Sequence, residues 1–209
     1  MADTPLLIAG LGNPGADYAR NRHNAGFMAL DTIHERYKFA PWRSRFEGAV
    51  SEGKIAGRKT YLLKPMTYMN DSGRSVGPAA RFFKLPPEAV VVMHDEIDLA
   101  AAKIKVKSGG GDAGHNGLRS ITATLGPDYR RVRIGVGHPG TKGRVHGHVL
   151  ANFSKADEDW LVPLLSAIAE AVPALAKDDD VGFMSKISLI LNPPVHKPKP
   201  QEKPEKKEE

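Results

Sequence analysis

The chain has 209 residues, 41% of them hydrophobic and 26% charged, enough for one ordinary domain with a real core. It contains no cysteine, which excludes a disulfide scaffold, cysteine-ligated zinc and a thiol nucleophile. The formal charge of +6 is concentrated: residues 101–150 carry nine Lys or Arg against Asp112 and Asp128, an electrostatic footprint for phosphate and above all for nucleic acid.

In chain order, Leu6 to Gly12 reads as a buried strand. Phe27, Leu30, Ile33 and Tyr37 recur at helical spacing and predict a helix over 24–38. Residues 46–51 and 59–64 read as strands around a Gly53/Gly57 turn region, the second ended by Pro65. Asn70 or Asp71 is expected to cap a helix that runs to about Leu85, where Pro86-Pro87 stop it. Val90 to Met93 is a central strand, and 103–107 is another with lysines on one face. A Gly-rich loop leads into a helix from Asn116 to Leu125, followed by a strand from Val132 to Gly137. Ser154 and Asp157 have capping-box spacing and open a long helix to about Lys177; a short helix ends near Leu191.

The alternation predicts a single-domain, three-layer α/β/α sandwich with a mixed twisted sheet over residues 1–191. Residues 192–209 hold five prolines, five lysines, four glutamates and one apolar side chain, Val195. Such a segment buries too little to offset its ordering entropy and is expected to be a disordered tail.

Polar groups cluster at the predicted strand ends and helix starts, where open α/β sheets place ligands. Asn13 lies in Gly10-Leu-Gly-Asn-Pro-Gly15; His23 follows in Arg22-His-Asn24; Asn70 closes Met66-Thr-Tyr-Met-Asn70; Asp95 sits in His94-Asp-Glu96; Asn116 follows His115 in the Gly-rich loop. A histidine with an acidic partner is a general base, and convergent amides can hold a carbonyl and its oxyanion. The Gly10-x-Gly12-x-x-Gly15 spacing fits a dinucleotide fingerprint, but the helical pattern starts late and no acid stands at a second strand's end. His94, His138, His146 and His148 have no zinc-ligand spacing, so no metal and no cofactor are expected. The chain lacks G-x-S-x-G, which sets a serine hydrolase aside.

Taken jointly, these segments resemble the bacterial peptidyl-tRNA hydrolase family. The match runs in register from about Leu6 to about Leu150 and includes His94-Asp-Glu-x-Asp98, Gly109-Gly-Gly-x-x-Gly-His-Asn116 and Arg133-Ile-Gly-x-Gly-His-Pro139. The resemblance implies a monomeric enzyme that cleaves the ester between a peptide and the 3′-terminal ribose of tRNA. It implies peptidyl-tRNA as partner, with the stalled large ribosomal subunit as a second. By position, His23 matches the base that activates water, Asp95 the carboxylate that orients it, and Asn13 the residue that senses an acylated nitrogen. Tyr18, Tyr68, Asn70 and Asn116 match contacts to the peptidyl-tRNA end, and Lys107 and Arg133 a clamp for the tRNA 5′-phosphate. Asp112-Ala113 departs from the family's Gly-rich loop. A non-catalytic RNA-binding module of the same fold is the alternative, disfavoured because His23, Asp95 and the three asparagines are all present. The N-terminus has no charged-apolar-small leader and the chain no run of about 18 apolar residues. The expected location is therefore the cytoplasm, with no membrane partner.

Overall fold

The computed structural model describes residues 4–194, so almost all of the expected tail lies outside the described residues. Its centre is β1 (Leu6–Gly10), buried at every position between β4 (Arg58–Pro65) and β5 (Val90–Glu96) and parallel to both. The full seven-stranded order is β2-β3-β4-β1-β5-β7-β6, with β2 (Arg43–Arg45), β3 (Gly48–Ile55), β6 (Ile104–Ser108) and β7 (Arg130–Gly135). The inner four strands are parallel, while β2, β3 and β6 are added antiparallel at the edges, so the sheet is mixed as expected.

The inner strands read as apolar runs because both faces are covered. On one face Ile8, Val91, Met93 and Val132 pack against α1 (Ala25–Arg36), α5 (Glu158–Ala176) and α6 (Asp180–Leu191). On the other, Leu7, Ala9, Val90 and Val92 meet α2 (Gly73–Phe82) and α3 (Asn116–Leu125). A short α4 (Val145–Leu150) lies outside these layers. By length and composition α5 could cross a membrane, with 19 residues and a mean hydropathy of 1.4, but half of it is buried in this core.

Several boundaries differ from the sequence reading for identifiable reasons. Strand β2 was not expected: its Arg-Ser-Arg is exposed throughout and carries no apolar alternation. Strand β7 starts two residues earlier because Arg130 and Arg131 are buried with hydrogen-bond partners for their terminal guanidinium nitrogens. Arg130 meets Asp178, Asp180 and the Leu175 carbonyl, and Arg131 the Gly110 and Gly111 carbonyls. Helix α2 begins at Gly73 after a 3-10 turn over Met69–Asp71, and no side chain caps it. The Ser154–Asp157 capping box is present: Ser154 N–H donates to Asp157 Oδ2 (2.8 Å) and Asp157 N–H to Ser154 Oγ (3.2 Å).

The first glycine motif has a packing explanation. A Cβ on Gly10 would lie 2.3 Å from the Gly26 carbonyl oxygen, and one on Gly26 would lie 2.3 Å from the Met93 carbonyl oxygen. These glycines let the N-terminus of α1 rest on the backbone of β1 and β5. The strand tips and the first turn of α1 are thereby drawn together, and the loops that follow β1, β4 and β5 share one end of the sheet.

Candidate active site

The chain from Leu11 to Asn24 has no long helix of its own; it is fixed by side chains. The buried Asn24 bridges back to Asn13, its Oδ1 accepting the Asn13 N–H (2.9 Å) and its Nδ2 donating to the Asn13 carbonyl (2.9 Å). The Asn13 side chain in turn accepts the Met69 N–H at Oδ1 (2.8 Å). That bond settles which way the Asn13 amide faces. Its oxygen is held by the loop after β4, and its NH2 group is neither bonded nor sealed among the described residues. The result is a fixed donor beside the His23 turn.

His23 is pinned from two sides. Arg22, its neighbour, pairs with Asp157 (2.9 Å) and reaches the Asn152 carbonyl (2.9 Å), which ties the turn to the segment before α5. The His23 ring points at β5, where Nδ1 lies 2.9 Å from Asp95 Oδ1. A carboxylate only accepts, so Nδ1 carries the proton and Nε2 presents a lone pair. Among the described residues Nε2 has no hydrogen-bond partner and is not buried.

Asp95 Oδ1 accepts a second hydrogen bond, from His115 Nε2 at 3.1 Å, and the two imidazole centroids stand 4.9 Å apart. His115 Nδ1 accepts the Leu118 N–H (3.4 Å) and so caps α3. Both bonds require the neutral Nε2–H tautomer of His115. Burial by itself would raise the Asp95 carboxyl, but His23 and His115 outweigh it and hold the group well below the usual carboxylate range. Asp95 is therefore a buried permanent anion with two imidazole donors.

His23, Asp95 and His115 also bring three donor atoms within 4.8 Å of one another, a grouping that could hold a metal ion and that sequence spacing did not reveal. The two N–H groups aimed at one carboxylate oxygen account for the arrangement as a hydrogen-bonded triad.

The remaining expected residues form the surroundings. Tyr68 is exposed, as is Asn70, which caps no helix. Asn116 is exposed at the start of α3; its Oδ1 accepts from Arg119 Nη1 (3.1 Å), leaving its NH2 outward. Tyr18 is half-buried in the 3-10 turn Ala16–Tyr18. A cleft of about 220 Å³ opens between Asn13, Phe27, Met28, Lys64 and Met66. Asp112 organises its loop: Oδ1 accepts the Gly114 N–H (2.9 Å), its carbonyl accepts the His115 N–H (2.8 Å), and Oδ2 pairs with Arg119 (3.3 Å). Lys107 is exposed on β6, whereas Arg133 is partly engaged through Nε with Glu96 Oε2 (2.8 Å).

Two residues of the site were not singled out from the sequence. Asn24 and His115 each stand beside a residue that was, but only the fold aims Asn24 at the Asn13 backbone and His115 at Asp95, 20 positions away.

Residues 7–197 match the family profile described as Peptidyl-tRNA hydrolase. The chain belongs to the peptidyl-tRNA hydrolase family. A peptidyl-tRNA hydrolase of Acidiphilium cryptum is 62% identical over 185 residues, covering 88% of this chain and 96% of the relative. One from Granulibacter bethesdensis is 61% identical over 188 residues, covering 90% and 97%. Among solved structures, a peptidyl-tRNA hydrolase from Acinetobacter baumannii superposes with a TM-score of 0.84 at 40% identity, covering 90% of this chain and 96% of that one. The family is one of enzymes, and the α/β sandwich described above is its fold.

Proposed function

We propose that this peptidyl-tRNA hydrolase family member cleaves N-acyl-aminoacyl-tRNA by general-base catalysis at His23. The supporting observation is the free Nε2 of an imidazole whose Nδ1–H is held by a buried carboxylate, beside the outward amide of Asn13. His23 Nε2 takes a proton from water as the water oxygen attacks the ester carbonyl. Asp95 stabilises the imidazolium that forms, and His115 keeps Asp95 in place. The Asn13 NH2 donates to the substrate carbonyl or its oxyanion. Collapse of the tetrahedral intermediate breaks the bond to the ribose 3′-oxygen, which takes the proton from His23. The products are a free peptide and a free tRNA. A positioned general base supplies about 10²–10⁴-fold and an oxyanion donor about 10²–10³-fold.

Tyr18, Tyr68, Asn70 and Asn116 are assigned to the acceptor end of the substrate, with Asn70 and Asn116 offering exposed amides at the rim. Lys107 and Arg133 are assigned to the tRNA 5′-phosphate. The physiological reading is a cytoplasmic monomer that recycles tRNA from peptidyl-tRNA released early or left on a stalled large ribosomal subunit.

The test compares N-acetyl-aminoacyl-tRNA with free aminoacyl-tRNA and follows release of tRNA. Cleavage of the acylated form with sparing of the free form is expected, because a protonated amine lacks the amide pattern read by Asn13. Failure to cleave the acylated form overturns the proposal, and retained binding without cleavage favours an RNA-binding module.

A further inference from the structure

One histidine of this region has no part in the proton transfers above. His94 is 1% exposed on β5, directly beside Arg133 on the parallel neighbour β7. Across the next pairing, Arg133 stands opposite Lys105 and Arg131 opposite Lys107. Register-paired positions project from the same face of a sheet, so His94, Arg131, Arg133, Lys105 and Lys107 share one side. Together with Glu96 and Leu118, four of these (His94, Lys107, Arg131 and Arg133) line a cavity of about 70 Å³.

His94 Nδ1 lies 2.7 Å from the Asp95 carbonyl oxygen, which only accepts, so Nδ1 is the donor and Nε2 a lone pair. Nε2 is buried without a partner, and so is Nε of Arg131, a donor from the same cavity wall. The ring meets His115, centroids 5.0 Å apart at 79°. Burial, reinforced by the neighbouring His115, pushes the His94 imidazole down to about 3. The ring is therefore neutral near pH 7.

We propose that His94 is a positioning residue that couples occupancy of this basic cavity by the substrate's terminal phosphate to the alignment of His115 and Asp95. The proposal rests on the reading of Lys107 and Arg133 as phosphate ligands. A phosphate competes with Glu96 for the Arg133 guanidinium. Glu96 is two residues from His94 on the same strand and therefore on the same face. Glu96 and Arg133 line the same cavity as the His94 ring, and that ring also meets His115. His115 donates to the oxygen that also holds His23. The phosphate thus contributes to the chemical step as well as to affinity.

The test uses two N-acetyl-aminoacyl minihelices that differ only in a 5′-phosphate or 5′-hydroxyl, cleaved under single-turnover conditions with saturating enzyme. Wild-type protein is expected to cleave the phosphorylated substrate at least about fivefold faster in the chemical step, the lower end of ordinary coupling between sites. His94→Phe and His94→Asn are expected to abolish that rate ratio while retaining tighter binding of the phosphorylated minihelix. A purely structural role would slow both substrates alike and leave the ratio intact, which overturns the proposal. A wild-type difference in affinity with none in rate also overturns it, and leaves the phosphate clamp standing. No difference in either sinks the clamp reading and the coupling with it. A readout independent of folding variants uses imidazole nitrogen chemical shifts of the wild-type protein. Those of His94 and His115 should move further on addition of a deacylated 5′-phosphate minihelix than with the 5′-hydroxyl form at equal saturation; equal responses to the two refute the coupling.

Discussion

Replacing Asp95 by asparagine isolates the charge of the triad from its shape. Asp95 Oδ1 accepts from His23 at 2.9 Å and from His115 at 3.1 Å, so an amide oxygen in the same place keeps both acceptor bonds. What is lost is the negative charge facing the imidazolium of the transition state. At about 4 Å and an effective dielectric of about 20, that charge is worth ~4 kcal/mol. The two acceptor bonds are present before and after the change and cancel, so the ~4 kcal/mol corresponds to roughly a thousandfold fall in kcat at about 1.4 kcal/mol per decade. Single-turnover cleavage of N-acetyl-aminoacyl-tRNA measures it, with a thermal melt to confirm the fold. A kcat equal to wild type, or a loss confined to KM, refutes the role given to the carboxylate.

Asn24→Ala removes both bonds to the Asn13 backbone and is expected to cost ~1–3 kcal/mol in stability and to lower kcat more than it raises KM. An unchanged kcat would show that the Asn13 amide is oriented by Met69 alone. Lys107→Ala should weaken substrate binding and reduce its logarithmic salt slope by about one; a full salt slope would remove Lys107 from the phosphate contacts. Asp157 reports on acid stability. Burial alone would push its carboxyl up, but the Ser154 N–H and hydroxyl, the Trp160 indole and Arg22 together hold it below the usual range. A depressed carboxylate stabilises the fold above its unfolded value of about 3.9, and that contribution is lost as pH falls through the folded value. Asp157→Asn should therefore flatten the decline of melting temperature below about pH 4, and an equally steep decline would refute the assignment. Activity should survive treatment with EDTA in a buffer that keeps tRNA folded; loss restored by one divalent ion would instead make His23, Asp95 and His115 metal ligands.

The sequence alone determined the layered α/β architecture, because apolar runs such as Val90 to Met93 are affordable only in strands covered on both faces. It determined the two ends of α3 and the capping box before α5, where local chemistry suffices. It also marked His23, Asp95 and Asn13 as candidates, through the joint order and spacing of their segments and the family resemblance which that order carries, since no one segment is distinctive by itself. The exposed β2 and the two buried arginines that open β7 were not legible. Whether a charged residue lies in a strand depends on partners such as Asp178 and Asp180, which come from the far end of the chain.

The working geometry of the site was decided by tertiary structure. His115 faces Asp95 because α3 packs beside α2 and places its capping histidine over the end of β5. Asn13 turns its NH2 outward because the loop after β4 supplies the Met69 N–H to its oxygen. Arg133 is divided between Glu96 and the cavity because β5 and β7 are neighbours. Side-chain direction and tautomer depend on groups brought from distant strands, and a local pattern carries no record of them. The same register places His94 between the basic cavity and the triad.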